Sequence, residues 1–355
     1  MSLALPTLHG RGASWNPPNR FERLHVDRAG WTDPDDPAPE TELLEDATRS
    51  VLAHNDSPDV GFDVGINPYR GCSHGCAYCY ARPTHEYLGF SAGLDFETRI
   101  LVKRRAPELL RDALSAKTWK PKVIGLSGNT DAWQPAERRL RITRRCLEVL
   151  ADFRNPVAIV TKSYLVTRDV DLLSELARHR AVAVVLSVTS LSNEIHRAME
   201  PRASSPARRL GAIRVLADAG IPVGVNVAPV VPGLTDHEVP EILDAAADAG
   251  ATFAGYIALR LPHGVKDIFA DWLERHFPDR RSKVLNRVRE MRGGALNDAR
   301  FETRGRGEGP WADQLGSLFR VSCDRLGLGT APKLSTDAFR RPPDRNAPQY
   351  DLFGA

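Results

Sequence analysis

Three cysteines within eight residues, Cys72, Cys76 and Cys79, are the groups of this 355-residue chain whose spacing would let them do chemistry together. They lie in Asn67-Pro-Tyr-Arg-Gly-Cys-Ser-His-Gly-Cys-Ala-Tyr-Cys-Tyr80, a loop that follows an apolar segment. Gly71 and Gly75 let its backbone wrap closely round a bound group. Thiolates so spaced converge on one soft metal ion or one iron-sulfur cluster. A structural zinc site or a passive electron-transfer cluster wants four protein ligands. Three thiolates without a nearby fourth leave one position for a substrate or cofactor. Two other readings stay open: His74 completing a Cys3His zinc site, and a reduced, inert trio of surface thiols.

The elements that must position this loop follow from periodicity. With 42% apolar and 26% charged residues the chain can bury the core of one large domain with an appended segment. Nearly wholly apolar runs at 61–66, 123–127, 157–161, 182–187, 223–228 and 253–259 predict six strands. Helical spacing of apolar residues at 105–116, 136–153, 168–178, 204–219 and 237–249 predicts the helices between them. Buried parallel strands separated by helices make a covered α/β sheet. Six such units closing partway round predict a partial (β/α)6 TIM-like barrel over 57–265, whose active groups sit at the carboxyl ends of the strands. The cysteine loop is at such an end. Residues 1–56, turn-rich and then acidic, read as an irregular wrapping arm. Cys146 and Cys323 lie on apolar helical faces and read as core cysteines. Five cysteines, three of them clustered, argue against a disulfide framework and for a reducing compartment, the cytoplasm. Met1-Ser2-Leu3-Ala4-Leu5 has no signal pattern and the chain has no apolar run of about eighteen residues, so a soluble, unexported protein is expected.

The CxxxCxxC arrangement, with Tyr78 just before the last cysteine, resembles the radical S-adenosylmethionine (SAM) superfamily, over roughly residues 60–265. The resemblance implies a 4Fe-4S cluster held by Cys72, Cys76 and Cys79. Its open iron would chelate SAM, which is split reductively to a 5'-deoxyadenosyl radical with an electron from a donor such as flavodoxin or ferredoxin. It also implies SAM contacts at the strand ends. Ser127, Gly128, Asn129 and Thr130 stand where the family meets the methionyl amino group, without its usual Gly-Gly-Glu. Lys162 stands where a basic residue meets the carboxylate, and Ser187 where a polar group meets the ribose. Val227 and Ala228 flank the adenine, with Tyr78 on another side. Without the resemblance, Lys162 is a solvated strand-end lysine and Ser187 a turn residue.

The runs Tyr78-Cys-Tyr-Ala-Arg-Pro-Thr-His85, Gly125-Leu-Ser-Gly-Asn-Thr-Asp-Ala-Trp-Gln-Pro135 and Glu200-Pro-Arg202 are similar to the spore photoproduct lyase branch, which repairs a thymine lesion. That lyase places a hydrogen-donating cysteine where this chain has Gly128, so Tyr87, Tyr164 and Tyr256 are the substitute donors the sequence offers. Residues 274–345 hold sixteen Lys and Arg against ten Asp and Glu, in a chain of net charge +3. A basic helical extension over 266–335 suits a polyanion, although a solvated helix face has the same composition. The expected activity is that of a lyase-like radical SAM enzyme acting on nucleic acid, DNA in preference. The alternatives are radical modification of RNA or protein, and a non-catalytic iron-sulfur nucleic-acid-binding protein. A flexible tail over 336–355 ends in Gln349-Tyr-Asp-Leu-Phe353. This resembles the peptide that docks on the sliding clamp of DNA polymerase, with Gln349, Leu352 and Phe353 as anchors.

Overall fold

The six apolar runs do pair side by side, each within a few residues of its expected bounds. The computed structural model describes residues 8–22 and 39–343. Among these, the strands are β1 (Glu42–Glu45), β2 (Leu52–His54), β3 (Val64–Ile66), β4 (Tyr69–Arg70), β5 (Arg99–Val102), β6 (Ile124–Leu126), β7 (Val157–Thr161), β8 (Val182–Val188), β9 (Val223–Val230) and β10 (Phe253–Ala258). The helices are α1 (Leu94–Thr98), α2 (Ala106–Ser115), α3 (Glu137–Leu140), α4 (Ile142–Phe153), α5 (Val170–Arg178), α6 (Asn193–Met199), α7 (Pro206–Asp218), α8 (Val239–Asp248), α9 (Val265–His276), α10 (Pro278–Glu290), α11 (Thr303–Arg306) and α12 (Pro310–Leu326). A seven-stranded sheet runs in the order β10-β9-β8-β7-β6-β3-β2; its first six strands are parallel and β2 is an antiparallel edge. This is the α/β architecture of a partial barrel.

Strand residues alternate between two faces, and the two faces differ. Val64, Ile66, Ile124, Leu126, Ile159, Val184, Leu186, Val225 and Val227 are fully buried and form the core under the helices. Full burial of each such side chain stabilises by about 1.5–3 kcal/mol. On the opposite face Val160 and Ile257 are each 37% exposed, although both sit within strands of the sheet. That face is the more open of the two, although Ala183 and Ser187 on it are buried.

Three expectations need correction. The arm read as irregular supplies β1, which pairs with β5 in a second sheet, and β2 on the edge of the main one. Both strands are short, too brief for a period of two to show. The basic extension is not an appendage, because α12 packs on α8 and sets Phe319 against Tyr256 of β10. It covers the last strand as a barrel helix would. Residues 336–343 are not a free tail: Phe339 packs on Phe153, and the Arg340 amide donates to the Phe153 carbonyl at 2.9 Å. Gln349, Leu352 and Phe353 lie outside the described residues. Cys146 and Cys323 are buried in the core as expected. No helix among the described residues is long and apolar enough to cross a membrane.

Candidate active site

The cysteine loop takes its shape from two turns that only glycine accepts easily. Gly71 and Gly75 both have positive φ, and a Cβ on Gly75 would stand 2.8 Å from the Glu97 carboxylate. That carboxylate is fully buried and holds three elements together. It accepts from the amides of Gly12 (3.1 Å) and Ala13 (2.9 Å) in the arm and from Arg82 (2.5 Å) after the loop. Arg82 in turn donates to the Cys76 carbonyl at 2.8 and 3.0 Å. Gly12 approaches so closely that a Cβ there would lie 1.8 Å from the Gly75 carbonyl. From the other side Gln134 accepts from the Ser73 amide at 3.0 Å and donates to the Gly71 carbonyl at 3.2 Å.

Burial pushes the Cys72 thiol up to about 12, with Asp131 adding to the effect. It raises Cys76 and Cys79 too, against which Lys162 pulls both down and Arg82 pulls Cys79 down. Each of the three thiols lies near enough to feel another. Among the described residues, no three His, Cys, Asp or Glu side chains already stand as a metal site. The fit of a cluster rests on the donor set and the cradle: three adjacent thiols on a glycine-turned loop, with cationic groups beside them to stabilise thiolates.

Beside this loop the carboxyl ends of β6 to β9 meet. Asp131 accepts from the Thr161 hydroxyl (2.8 Å) and the Lys162 amide (2.7 Å), and His74 Nδ1 stands 3.5 Å away. The Lys162 ammonium donates to the Ala228 carbonyl at 3.2 Å and lies 5.8 Å above the Tyr78 ring. The Tyr78 hydroxyl donates to Glu200, which also accepts from Thr189 (2.8 Å) and pairs with Arg209 at 2.5 Å. Burial opposes ionisation of Glu200, yet Arg209 and then Lys162 hold its carboxyl down at about 2. Arg209 donates onward to the Ser187 carbonyl at 3.0 Å. Lys162, Tyr78, Ser187 and Ala228, predicted from four separate segments, therefore come together.

Residues 66–246 match the family described as the Radical SAM superfamily. This chain belongs to that superfamily. Its sequence relatives include an uncharacterised protein of Mycobacterium tuberculosis, Rv2578c, 38% identical over 232 residues covering 65% of this chain and 67% of the relative. An uncharacterised protein of Methanocaldococcus jannaschii, MJ0683, is 31% identical over 173 residues, 49% of this chain and 62% of that one. The fold is similar to that of spore photoproduct lyase complexed with dinucleoside spore photoproduct, with a TM-score of 0.59 at 18% identity over 82% of each chain.

The superfamily implies a 4Fe-4S cluster and SAM, and its cysteine motif here is Cys72, Cys76 and Cys79. The strand-end residues of this radical SAM protein divide by position. At the end of β6, Ser127 accepts from the Ala132 amide (2.9 Å), and Thr130 donates to the Tyr69 carbonyl (3.1 Å). The Ser127 hydroxyl thus binds its own loop, and that of Thr130 ties the loop to β4. Asn129 is exposed, and the Gly128 carbonyl accepts from Tyr80 at 2.6 Å. Val227 is in register with Tyr256 and both face the helices, whereas Ser187, Asn226 and Gly255 share one row on the open face. Sequence reading misses Asn226. Its signal is a single amide in the otherwise apolar run Val-Gly-Val-Asn-Val, legible only once the strand register is known.

The three tyrosines named as hydrogen donors scatter. Tyr87 is 72% exposed and packs on Phe21 at the surface. Tyr256 lies between Phe319 and Arg306 on the helix side of β10. Tyr164 follows β7 with Arg208 over its ring. Tyr80, adjoining Cys79, is 46% exposed with Arg260 over its ring, nearer the cysteine loop in sequence than any of the three.

Proposed function

We propose that this protein is a radical SAM enzyme whose substrate is nucleic acid, with DNA favoured over RNA or protein. When bound, the cluster and SAM supply the reductive cleavage that yields a hydrogen-abstracting 5'-deoxyadenosyl radical. The chain's own residues bind and orient. Cys72, Cys76 and Cys79 would hold the cluster, and Lys162 presents an ammonium group for the SAM carboxylate. Ser187 and Asn226 present polar groups on the open face for the ribose, while Tyr78, fixed by Glu200, supplies a flat apolar wall.

The observation that carries the nucleic-acid reading is the arrangement of cations beside β10. Arg260 lies over the half-exposed ring of Tyr80 next to the cysteine loop, close enough to Arg304 for the two charges to repel. Aromatic rings interleaved with guanidinium groups suit bases and phosphates together. The likeness in fold to a lyase solved with a dinucleoside photoproduct supports the same reading.

The test is anaerobic reconstitution with iron, sulfide and dithionite, followed by SAM. Formation of 5'-deoxyadenosine is expected, along with binding of DNA oligonucleotides that weakens steeply with salt. A fully loaded cluster that cleaves no SAM with any nucleic acid tested would refute the enzyme. Cleavage stimulated only by a protein fraction would refute the substrate class.

A further inference from the structure

A cavity of about 660 Å³ lies on the outer side of the cysteine loop, between the segments that follow β6, β7 and β8. Its charged lining is of one sign, Arg138, Arg168, Arg202 and Arg208 with no aspartate or glutamate, and His74 and His196, whose imidazoles burial shifts down from the ordinary range, add polar ring nitrogens. Arg168 is already paired with Glu137 and Asp169. Arg138, Arg202 and Arg208 are exposed and pair with no carboxylate among the described residues. Like charges are not gathered in a concave surface without cost, and an anion removes that cost. The first turn of α7 opens into the same cavity at Ser205, and no side chain caps it.

A second, independent feature points to a ligand. His196 lines the cavity and is only 7% exposed, and its Nε2 completes no hydrogen bond, although the backbone of Ala203 and Ser204 lies beside the ring. A buried nitrogen left unpaired costs on the order of 1–3 kcal/mol unless a ligand or water satisfies it. Three guanidinium groups without a carboxylate, an uncapped helix start and an unpaired imidazole nitrogen match the acceptor oxygens and charge of a phosphate group.

We infer that this cavity is a phosphate-binding pocket that holds a backbone phosphate of the nucleic-acid substrate at the rim of the active site. This inference rests on the nucleic-acid reading above and adds to it a second anchoring point. The pocket borders His74 and Ser163, which flank Cys72 and Lys162 in the chain. A strand held there runs beside the cysteine loop.

The experiment uses the full reconstituted protein and a short labelled single-stranded oligodeoxynucleotide, with fluorescence anisotropy as readout. Inorganic phosphate should displace the strand more effectively than chloride at equal ionic strength. The double variant Arg138→Ala, Arg208→Ala should bind about tenfold or more weakly, and its slope of log affinity against log salt should be shallower by about 0.7 for each phosphate no longer neutralised. The pair Arg138→Lys, Arg208→Lys should keep more affinity than the alanine pair. Uncoupled 5'-deoxyadenosine formation should be the same in all three proteins, which also shows that they fold. Unchanged affinity and slope in the alanine pair would overturn the pocket while leaving nucleic acid as substrate. A wild-type protein that binds inorganic phosphate but no oligonucleotide would overturn the assigned occupant, and the substrate reading with it.

Discussion

Glu200→Gln removes one charge from an enclosed ion pair beside the cysteine loop, and its cost can be worked in two ways. Glu200 and Arg209 are 2% and 1% exposed at the side chain, 2.5 Å apart. Truncating one partner of a buried pair leaves the other uncompensated, at about 3–5 kcal/mol. Independently, folding lowers the Glu200 carboxyl from its ordinary 4.5 to about 2, which corresponds to about 3 kcal/mol. The two agree near 3 kcal/mol. The sign follows from the direction: a carboxyl depressed by folding contributes stability that is present above about 4.5 and fades as pH falls toward about 2. Denaturant unfolding of wild type and variant should therefore differ by about 3 kcal/mol at neutral pH, and the gap should narrow below pH 4.5. Arg209→Met alone should cost a similar amount. The double variant Glu200→Gln, Arg209→Met should cost less than the sum of the single ones, because the charge is no longer stranded. A difference under about 1 kcal/mol that does not vary with pH would refute the reasoning, since it would mean that water reaches the pair.

Replacing any one of Cys72, Cys76 and Cys79 by Ala should abolish iron loading, whereas Cys146→Ala and Cys323→Ala should retain it; iron and sulfide content after reconstitution checks this. Gly12→Ala should detach the arm from the cysteine loop, since its Cβ meets the Gly75 carbonyl at 1.8 Å. Loss of two amide hydrogen bonds to the buried Glu97 carboxylate is worth about 1.5–3 kcal/mol each at most, read as a lower unfolding midpoint and faster bleaching of the cluster in air. His85 is fully buried, and burial lowers its imidazole from 6.5 to about 4. The unfolded chain therefore binds the extra proton first, and stability should fall by up to about 3 kcal/mol between pH 6.5 and 4. The variant His85→Gln should flatten that part of the profile.

What the sequence discloses of this site depends on how local each signal is. Three thiols in eight residues, six apolar runs and the helical periodicity between them are local, and the structure places them as expected, except that the helix expected over 136–153 is split at Arg141, whose φ is positive. The short strands β1 and β2 are not legible, since three or four residues cannot display an alternation and each is fixed by a partner elsewhere, Arg99–Val102 for β1 and Val64–Ile66 for β2. The same holds for the charges that shape the site. Glu97 and Glu200 are ordinary acidic residues in a row of letters. In the fold each is buried and bound to an arginine, Arg82 and Arg209, and through these to the cysteine loop and to Ser187. Asn226 and Val227 show the limit most sharply. They are neighbours in one strand, and a shift of one residue exchanges their faces. Strand-end position alone thus selects Val227, whose side chain turns to the helices, over Asn226, whose amide faces the open side. An Asn226→Ala substitution separates these readings: it should weaken SAM binding without changing stability by more than about 1 kcal/mol, the range for a partly exposed polar group. Val227→Ala, which opens a cavity in the core under the helices, should cost stability and leave SAM binding intact in the protein that remains folded.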